Sequence, residues 1–531
     1  MAGAGAQSRG AQSRSVRSRA AEGAPNRVMI TISIMLATVM SSLDTTIANV
    51  ALPHIQGSVS ASQDQITWVL TSYIVAAAIM TPLTGWLAGR VGRKLVFMVS
   101  VAGFTVASAL CGLAGSLVEI VLFRLLQGLF GAALIPLSQA VLLDINPPEK
   151  HGQAMALWGA GAILGPILGP ALGGWLTDNL SWRWVFFINL PVGIAAFTGI
   201  FVFIREHKQA EQRAFDFFGF ATLAIAIGAF QLFLDRGQTQ DWFSSVEVQV
   251  ECTVAALSMF LFVVQMATAR RPFVDVSLFK DGNFVTATVF GFFVGILLFS
   301  SLALLPPFME NLLGYSVVYT GLVSVPRGLG SFVAMFAVGQ LVGRVDVRLI
   351  LLAGLSLTAL SAYQMSQFTI VMPSMPIMVA GVTSGLGTGL IFVPLSTLAF
   401  ATISPAMRTE AAGIFTLSRN IGSSAGISIM TALLSRNTDK VHSGLVEHIR
   451  PDNPLAHPPY VSALMTFTSQ RGLALFDALA TQQAAMIAYV DDFRLMLWIT
   501  VLSAPMLLLM RPPKRPKGAP KEVADTHAAF E

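Results

Sequence analysis

Four charged residues stand inside long apolar runs. Asp44 and Arg124 interrupt 28–49 and 118–142, and Arg327 and Arg419 interrupt 316–342 and 412–434. A carboxylate or guanidinium at the centre of a bilayer costs about 2.5–3.5 kcal/mol on insertion scales, so each needs a partner or a function. Burial favours the neutral acid and a nearby cation favours the charged one, so the protonation balance of an aspartate beside an arginine can shift with hydration. The seven His (54, 151, 207, 442, 448, 457 and 527) are scattered, so no paired His or acidic cluster points to an enzyme or a metal site. Nor is there a Gly-x-x-x-x-Gly-Lys-Ser/Thr loop to hold ATP. Cys111 and Cys252 both lie in apolar runs and read as packing residues.

A second constellation is steric. Gly161, Gly165, Gly169 and Gly173 stand four apart, joined by Gly174, and Pro166 and Pro170 follow two of them. On a helix the glycines form one smooth stripe. In water each glycine would cost about 1 kcal/mol and each interior proline about 3. In a bilayer small faces let backbones touch, and neighbouring helices re-satisfy the freed carbonyls.

These residues need a membrane scaffold to position them, and the composition supplies one. Of 531 residues, 54% are hydrophobic and 11% charged, with mean hydropathy +0.68. Soluble domains carry about 25% charged residues, so the chain is an all-α polytopic membrane protein. Residues 1–27 form a basic tail that reads as disordered, with five Arg against Glu22. Windows long enough to cross about 30 Å of hydrocarbon lie at 28–49, 65–88, 95–115, 118–142, 153–176, 184–204, 217–234, 246–268, 283–307, 316–342, 349–368, 376–401, 412–434 and 493–510. Fourteen spans place Arg90, Arg93 and Lys94, Lys150, Arg205, Arg270, Arg344, Arg408 and the basic tail 511–531 on one side, which the positive-inside rule makes cytoplasmic. Both termini are then inside.

The two ends of the chain echo one another. Gly85-Trp-Leu-Ala-Gly89-Arg90-Val91 recurs as Gly339-Gln-Leu-Val-Gly343-Arg344-Val345, and Gly131 to Ser138 as Gly389 to Ser396. Gly152, Gly161 and Gly165 recur as Gly413, Gly422 and Gly426 with both spacings kept. The expected organisation is therefore a six-helix bundle at 28–204, two inserted helices with linkers at 205–282, and a second six-helix bundle at 283–510. Such duplication places a substrate path at the repeat interface.

The motifs resemble the major facilitator superfamily, in its fourteen-span drug:proton antiporter branch and close to the EmrB multidrug exporters. Gly85, Arg90, Gly92 and Arg93 belong to a stretch similar to the superfamily's loop motif between spans two and three. Arg124-Leu-Leu-Gln127-Gly128 is similar to its Arg-x-x-Gln-Gly motif, Gly161 to Gly174 to the antiporter motif of span five, and Leu43 to Pro53 to the first-span motif of the branch. Similar stretches continue at Leu234 to Gly237, Asp241 to Ser244 and Ser277 to Lys280. The loop motif usually carries an acid, which helps to lock the inward side, where Gly89 stands. Asp346 is the nearest substitute, although its position does not match.

The resemblance implies a proton-coupled antiporter of hydrophobic drugs in the bacterial inner membrane. It uses the proton gradient in place of a cofactor and works with a periplasmic membrane-fusion adaptor and an outer-membrane channel; no nucleic-acid partner is implied. A narrow-specificity exporter of a fatty acid, siderophore or self-made antibiotic is the alternative. Asp44 and Arg124 lie five and six residues from the outer ends of their spans, about 7–9 Å deep at 1.5 Å per residue. Since spans one and four line the first-half cavity in the family, the two are expected to communicate directly or through one group. A static ion pair is the alternative. Asn49, Gln127, Trp158, Arg327 and Arg419 are the substrate-contact candidates, with Arg419 placed to snorkel toward the cytoplasm. The portion Gly165–Gly174 is expected to seal the outer side against the second half. The outer segment 436–490 carries a proline-rich stretch and then helical periodicity at 461–490, a docking surface or exit lid.

Overall fold

The computed structural model describes residues 27–206, 214–342, 344–450, 452 and 469–510. Both basic tails, Gly343 of the internal echo and most of the proline-rich outer stretch lie outside the described residues.

Polar residues that bound the apolar runs start the helices. The side chains of Ser116, Asp281, Ser316, Asp346 and Ser469 each accept a hydrogen bond from a backbone N–H of the first turn they precede, satisfying donors that an uncapped helix leaves free. The first-half helices are α1 (Arg27–Val59), α2 (Trp68–Met80 continuing as Leu83–Val91), α3 (Arg93–Leu113), α4 (Leu117–Ile145), α5 (Pro148–Asn179) and α6 (Trp184–Phe203). The inserted pair is α7 (Phe217–Arg236) and α8 (Val246–Thr268). The second half has α9 (Gly282–Leu312), α10 (Val317–Leu341), α11 (Val347–Met365) and α12 (Met375–Phe400), then α13 (Arg408–Val446) and α14 (Gln470–Ser503). The two parts of α2 meet at 55°, where Pro82 has no N–H to give and Thr81 Oγ1 turns back to the Ala77 carbonyl at 2.6 Å.

Eleven of these helices, or twelve with the bent pair as one, are long and apolar enough to cross a membrane among the described residues. The other two columns, α13 and α14, stand where the sequence places spans thirteen and fourteen. They are 39 and 34 residues long, about 58 and 51 Å at 1.5 Å per residue. Their apolar portions are diluted by polar extensions running past the bundle. Of the periodic outer segment 461–490, residues 461–468 lie outside the described residues, and the rest is the beginning of α14, which starts at Gln470, packs against α13 and meets it at His442 Nε2 and Asp477 Oδ1, 3.0 Å apart.

The apolar core shows how the halves meet. At the end of the bundle carrying the basic loops, one cluster joins Leu142, Met155 and Trp158 of the first half to Phe290, Met335, Phe400 and Phe415 of the second. At the opposite end each half has a separate core, built around Ile47, Val69 and Ile120 in one and around Phe308, Val323 and Phe493 in the other. The halves are thus closed at the basic end and hold their own cores beyond it. The inserted pair lies along the seam of α2 and α13: Gln231 Nε2 donates to Ser424 Oγ at 2.9 Å and Ser428 Oγ to the Leu234 carbonyl at 2.5 Å, and Thr71 Oγ1 pairs with Asp235.

A charged latch sits over the closed end. Asp144, at the end of α4, pairs with Arg93 of the loop motif and lies 2.8 Å from Arg408 Nη1 of the second half. Arg93 Nη2 also donates to the Pro405 carbonyl. The acid of this latch thus comes from α4, while nothing lies within 4 Å of a Cβ placed on Gly89. Asp346 does not serve, because its carboxylate accepts from the Arg348 N–H and caps α11. Gly85 leaves room for the Glu410 backbone, which a Cβ would meet at 2.7 Å, and Gly92 is needed for its φ of +97°. Arg90 stacks on Trp86 of the same helix at 5.4 Å. Asp144→Asn should leave Arg93 and Arg408 adjacent without a shared anion, costing about 1–3 kcal/mol of closure. In a Cys111→Ser, Cys252→Ser background, a cysteine at Ala154 in the shared core should then react faster with a maleimide. An unchanged rate would show that the latch does not hold this end.

Candidate functional site

Arg124 Nη1 lies 2.7 Å from Asp44 Oδ2, and both side chains are out of contact with solvent. The matching depths therefore correspond to direct contact. Gln127 stands one turn beyond Arg124 on α4, which puts both on one face; it donates Nε2 to Asp44 Oδ1 at 2.7 Å and accepts from Arg124 Nη1 at 2.8 Å. Asn189 of α6 adds a second donor to Asp44 Oδ1 at 2.9 Å and is itself tied to Ser108 of α3 at 3.0 Å. Arg124 Nε donates to the Val69 carbonyl at 3.0 Å, and its guanidinium lies over the Tyr73 ring at 4.4 Å. The carboxylate thus accepts three hydrogen bonds, one of them charge-assisted, so its oxygens are met by protein in this dry setting.

Three members of this network were not singled out from the sequence. Asn189 had a signal, as an isolated amide near the start of an apolar span. Tyr73 and the Val69 carbonyl had none, because only the packing of α2 on α4 brings them to Arg124. Gln127 is no free substrate contact: its amide is buried and both ends are spent on the ion pair. Asn49 is exposed on α1 and has no part in the cluster.

The glycine stripe positions the acid, and its partner corrects the expectation. A Cβ on Gly165 would fall 2.4 Å from the Ser42 backbone, on Gly169 2.2 Å from Thr46 Oγ1, on Gly173 2.9 Å from Ile47, and on Gly161 1.9 Å from Met35. The stripe faces α1 of its own half. Pro166 cannot donate to the Ala162 carbonyl, and Ser42 Oγ fills that acceptor at 2.5 Å. Thr46 Oγ1 likewise donates to the Gly165 carbonyl at 3.0 Å. Ser42 and Thr46 lie two residues either side of Asp44, so the clamp grips the face of α1 opposite the carboxylate. Pro170 continues the helix beyond this clamp, and Gly174 has nothing within 4 Å of its would-be Cβ. Contact with the second half falls to the neighbouring face of α5, where Gly152 meets Val342, Gly159 meets Met335 and Ile167 fills the space at Gly328.

Trp158 and Arg419 are also placed differently from expectation. Trp158 is fully buried; its Nε1 donates to Ser138 Oγ at 2.8 Å and its ring stacks on Phe392 of α12 at 5.6 Å. In this conformation it is part of the closed end and not a free binding surface. Arg419 does not snorkel: it is 7% exposed and lies 5.3 Å from the same Phe392 ring. The two share an aromatic at the seam between the halves. Arg327 is separate, inside the second half, with Nη1 donating to Ser301 Oγ at 2.6 Å.

The comparisons agree with this architecture. A family model described as Major Facilitator Superfamily matches residues 34–427. The chain is 34% identical to the multidrug export protein EmrB of Escherichia coli strain K12 over 92% of its own length and 96% of the relative's. It is equally close to the fatty acid resistance protein FarB of Neisseria gonorrhoeae, at 34% over 91% and 96%. Among solved structures, the proton:xylose symporter XylE superposes with a TM-score of 0.59 at 13% identity over 90% of this chain and 95% of that one. The human organic anion transporter MFSD10 gives 0.56 at 16%, over 90% and 100%. These two likenesses concern the fold alone. A polytopic helical bundle with a doubled core, matched by the family model over most of its spans and by EmrB-type relatives over nearly its whole length, belongs to the major facilitator superfamily.

Proposed function

We propose that this protein is a proton-coupled antiporter that exports hydrophobic drugs and toxic compounds across the bacterial inner membrane by alternating access. In this reading the basic end and both termini face the cytoplasm, the proton gradient supplies the energy without a cofactor or metal, and the chain is not an enzyme. The observation that carries the proposal is the buried Asp44 network, whose acid sits on α1, a helix clamped on its other face to α5, which in turn packs on α10 of the second half. Protonating Asp44 removes the charge that holds Arg124, Gln127 and Asn189 together. Arg124 would keep the Val69 carbonyl and the Tyr73 ring, while α1 loses its tie to α4 and α6. Because α1 is clamped to α5, and α5 packs on α10, release at Asp44 would be felt at the seam between the halves. A proton taken from the outer side and given up inside would thereby drive the outward passage of substrate.

The printed functions of the relatives support the substrate class: the EmrB proteins are named for multidrug export. The FarB relative favours a second reading, a narrower exporter of fatty acids. The paired extensions of α13 and α14 offer a helical surface beyond the bundle for a periplasmic membrane-fusion adaptor that leads to an outer-membrane channel.

Purified protein in proteoliposomes under an imposed pH gradient tests the coupling, with hydrophobic compounds added singly and collapse of the gradient followed. Asp44→Asn should reduce drug-driven proton flux by more than about tenfold, since each 1.36 kcal/mol removed from the driving interaction is tenfold, while the protein stays folded and inserted. Full activity of that variant would sink the proposal. As a stability control, Arg124→Leu should destabilise by about 3–5 kcal/mol, because it strands a buried carboxylate, and adding Asp44→Asn should recover most of the lost Tm. If the single variant melted like the wild type, Asp44 would not be ionised in the folded protein. Gly165→Leu must push α1 off its seat; it should keep insertion but lower both Tm and transport rate. Wild-type export by this variant would reduce the stripe to passive packing.

A further inference from the structure

The internal repeat can be carried down to single side chains, and it makes the second half an incomplete copy of the Asp44 site. Gly128 of α4 sits on the Tyr73 carbonyl, which its Cβ would approach to 2.4 Å, and Gly385 of α12 sits on the Arg327 carbonyl, at 2.0 Å. Tyr73 and Arg327 are therefore equivalent, as the echo of Gly85 at Gly339 also requires. The facing stretch of α12, Gly381 to Gly385, holds no arginine and no amide; its polar residues are Thr383 and Ser384. On α5 the glycines 161 and 165 face Met35 and Ser42, and their echoes Gly422 and Gly426 face Phe292 and the turn Ile296–Ser300 of α9. The turns of α9 that stand in the place of the Asp44 turn, Leu297 to Leu302, hold no acid.

The second half thus keeps a buried arginine, carried on a different helix, with hydroxyls and no acid or amide around it. Beside it is a cavity lined by Ser301, Arg327 and Ser384 together with Leu297, Leu298 and Met496. It admits a group of about water size and little more in this conformation. Arg327 is 9% exposed. A guanidinium has five N–H donors; here Nη1 serves Ser301 Oγ and Nη2 reaches the Leu298 carbonyl at 3.4 Å. No acid pairs with it among the described residues. Asp492, buried one turn before Met496 on α14, is the nearest candidate along the cavity wall, yet no ion pair joins it to Arg327, and its Oδ2 has no hydrogen-bond partner. A buried, permanently charged cation with unused donors beside a cavity and no paired acid is a receptor for an anion.

We propose that Arg327 binds the carboxylate of an amphiphilic ligand, with Leu297, Leu298 and Met496 meeting its first methylenes. Ser301 and Ser384 supply hydroxyl donors to the same head group. The site is distinct from Asp44, so it can be tested at equilibrium without any gradient, and it stands or falls apart from the proton-coupling reading.

Full-length protein in nanodiscs would be titrated with octanoate and with 1-octanol, which share a chain and differ in the head group, in chloride and in gluconate buffers. The wild type should bind octanoate at least about tenfold more tightly than octanol in both buffers. Arg327→Gln should bring the two ligands within about twofold. Ser301→Asp, which places a carboxylate at the site from within, should abolish the preference and raise Tm. Equal binding of the two ligands by the wild type would overturn the proposal, as would discrimination undiminished in Arg327→Gln. A preference that vanished in chloride buffer would overturn it in favour of an inorganic anion.

Discussion

A carboxylate taken out of water must have its lone pairs met by protein, and the first half of this molecule is arranged around that requirement. Asp44 comes from α1, its cation and one amide from α4, its second amide from α6, and the group that orients this amide, Ser108, from α3. The cation is in turn held by the Val69 carbonyl of α2. Five of the six helices thus contribute an atom to one buried charge pair. Removing a single partner from such a pair leaves an uncompensated charge, which is far costlier than replacing the whole pair with apolar groups. The pair is weak evidence for stability and strong evidence for a defined arrangement.

The sixth helix is fixed by a different device. α5 is unfavourable as an isolated helix because its prolines free carbonyls that lipid cannot satisfy. α1 cancels that defect: the Ser42 hydroxyl occupies the carbonyl that Pro166 leaves open, and the glycines let the two backbones come close enough for this to happen. A helix that would be poor alone becomes specific for one neighbour, and that neighbour carries Asp44 on its other face. The antiporter-like motif is therefore tied to the ionisable site through the body of α1, without touching the carboxylate.

Much of this was legible in the sequence because periodicity and charge act locally. Fourteen helical columns, the doubled organisation and the common depth of Asp44 and Arg124 follow from the lengths of apolar runs and the 1.5 Å rise of a helix. What a stripe faces is not local. Gly165 could have met α1 or the second half equally well from its own spacing, and the choice was decided by Ser42 and Thr46, whose hydroxyls carry no distinguishing pattern. Arg419 illustrates the same limit. Its position near one end of a span suggested an escape to water, but an aromatic on another helix, Phe392, offered a nearer face. The outer segment shows a third limit: the helical periodicity of 470–490 corresponds to helix, yet periodicity cannot say that this helix runs without a break into the last span.

The closed end shows how the two kinds of force divide the work. The latch of Arg93, Asp144 and Arg408 is partly wet, with the Asp144 side chain 30% exposed, and ion pairs in contact with water contribute modestly. Beneath it, Trp158, Phe290, Phe400 and Phe415 are fully buried in a core that both halves share. Full burial of one such side chain is worth about 1.5–3 kcal/mol, so the aromatic layer supplies most of the closure and the charges select its register. An end held mainly by non-directional apolar contact can part without stranding buried polar groups, because Trp158 keeps its bond to Ser138 within the first half. The Asp44 network has no such freedom. The molecule therefore places its undirected contacts between the halves and its directional ones inside one of them.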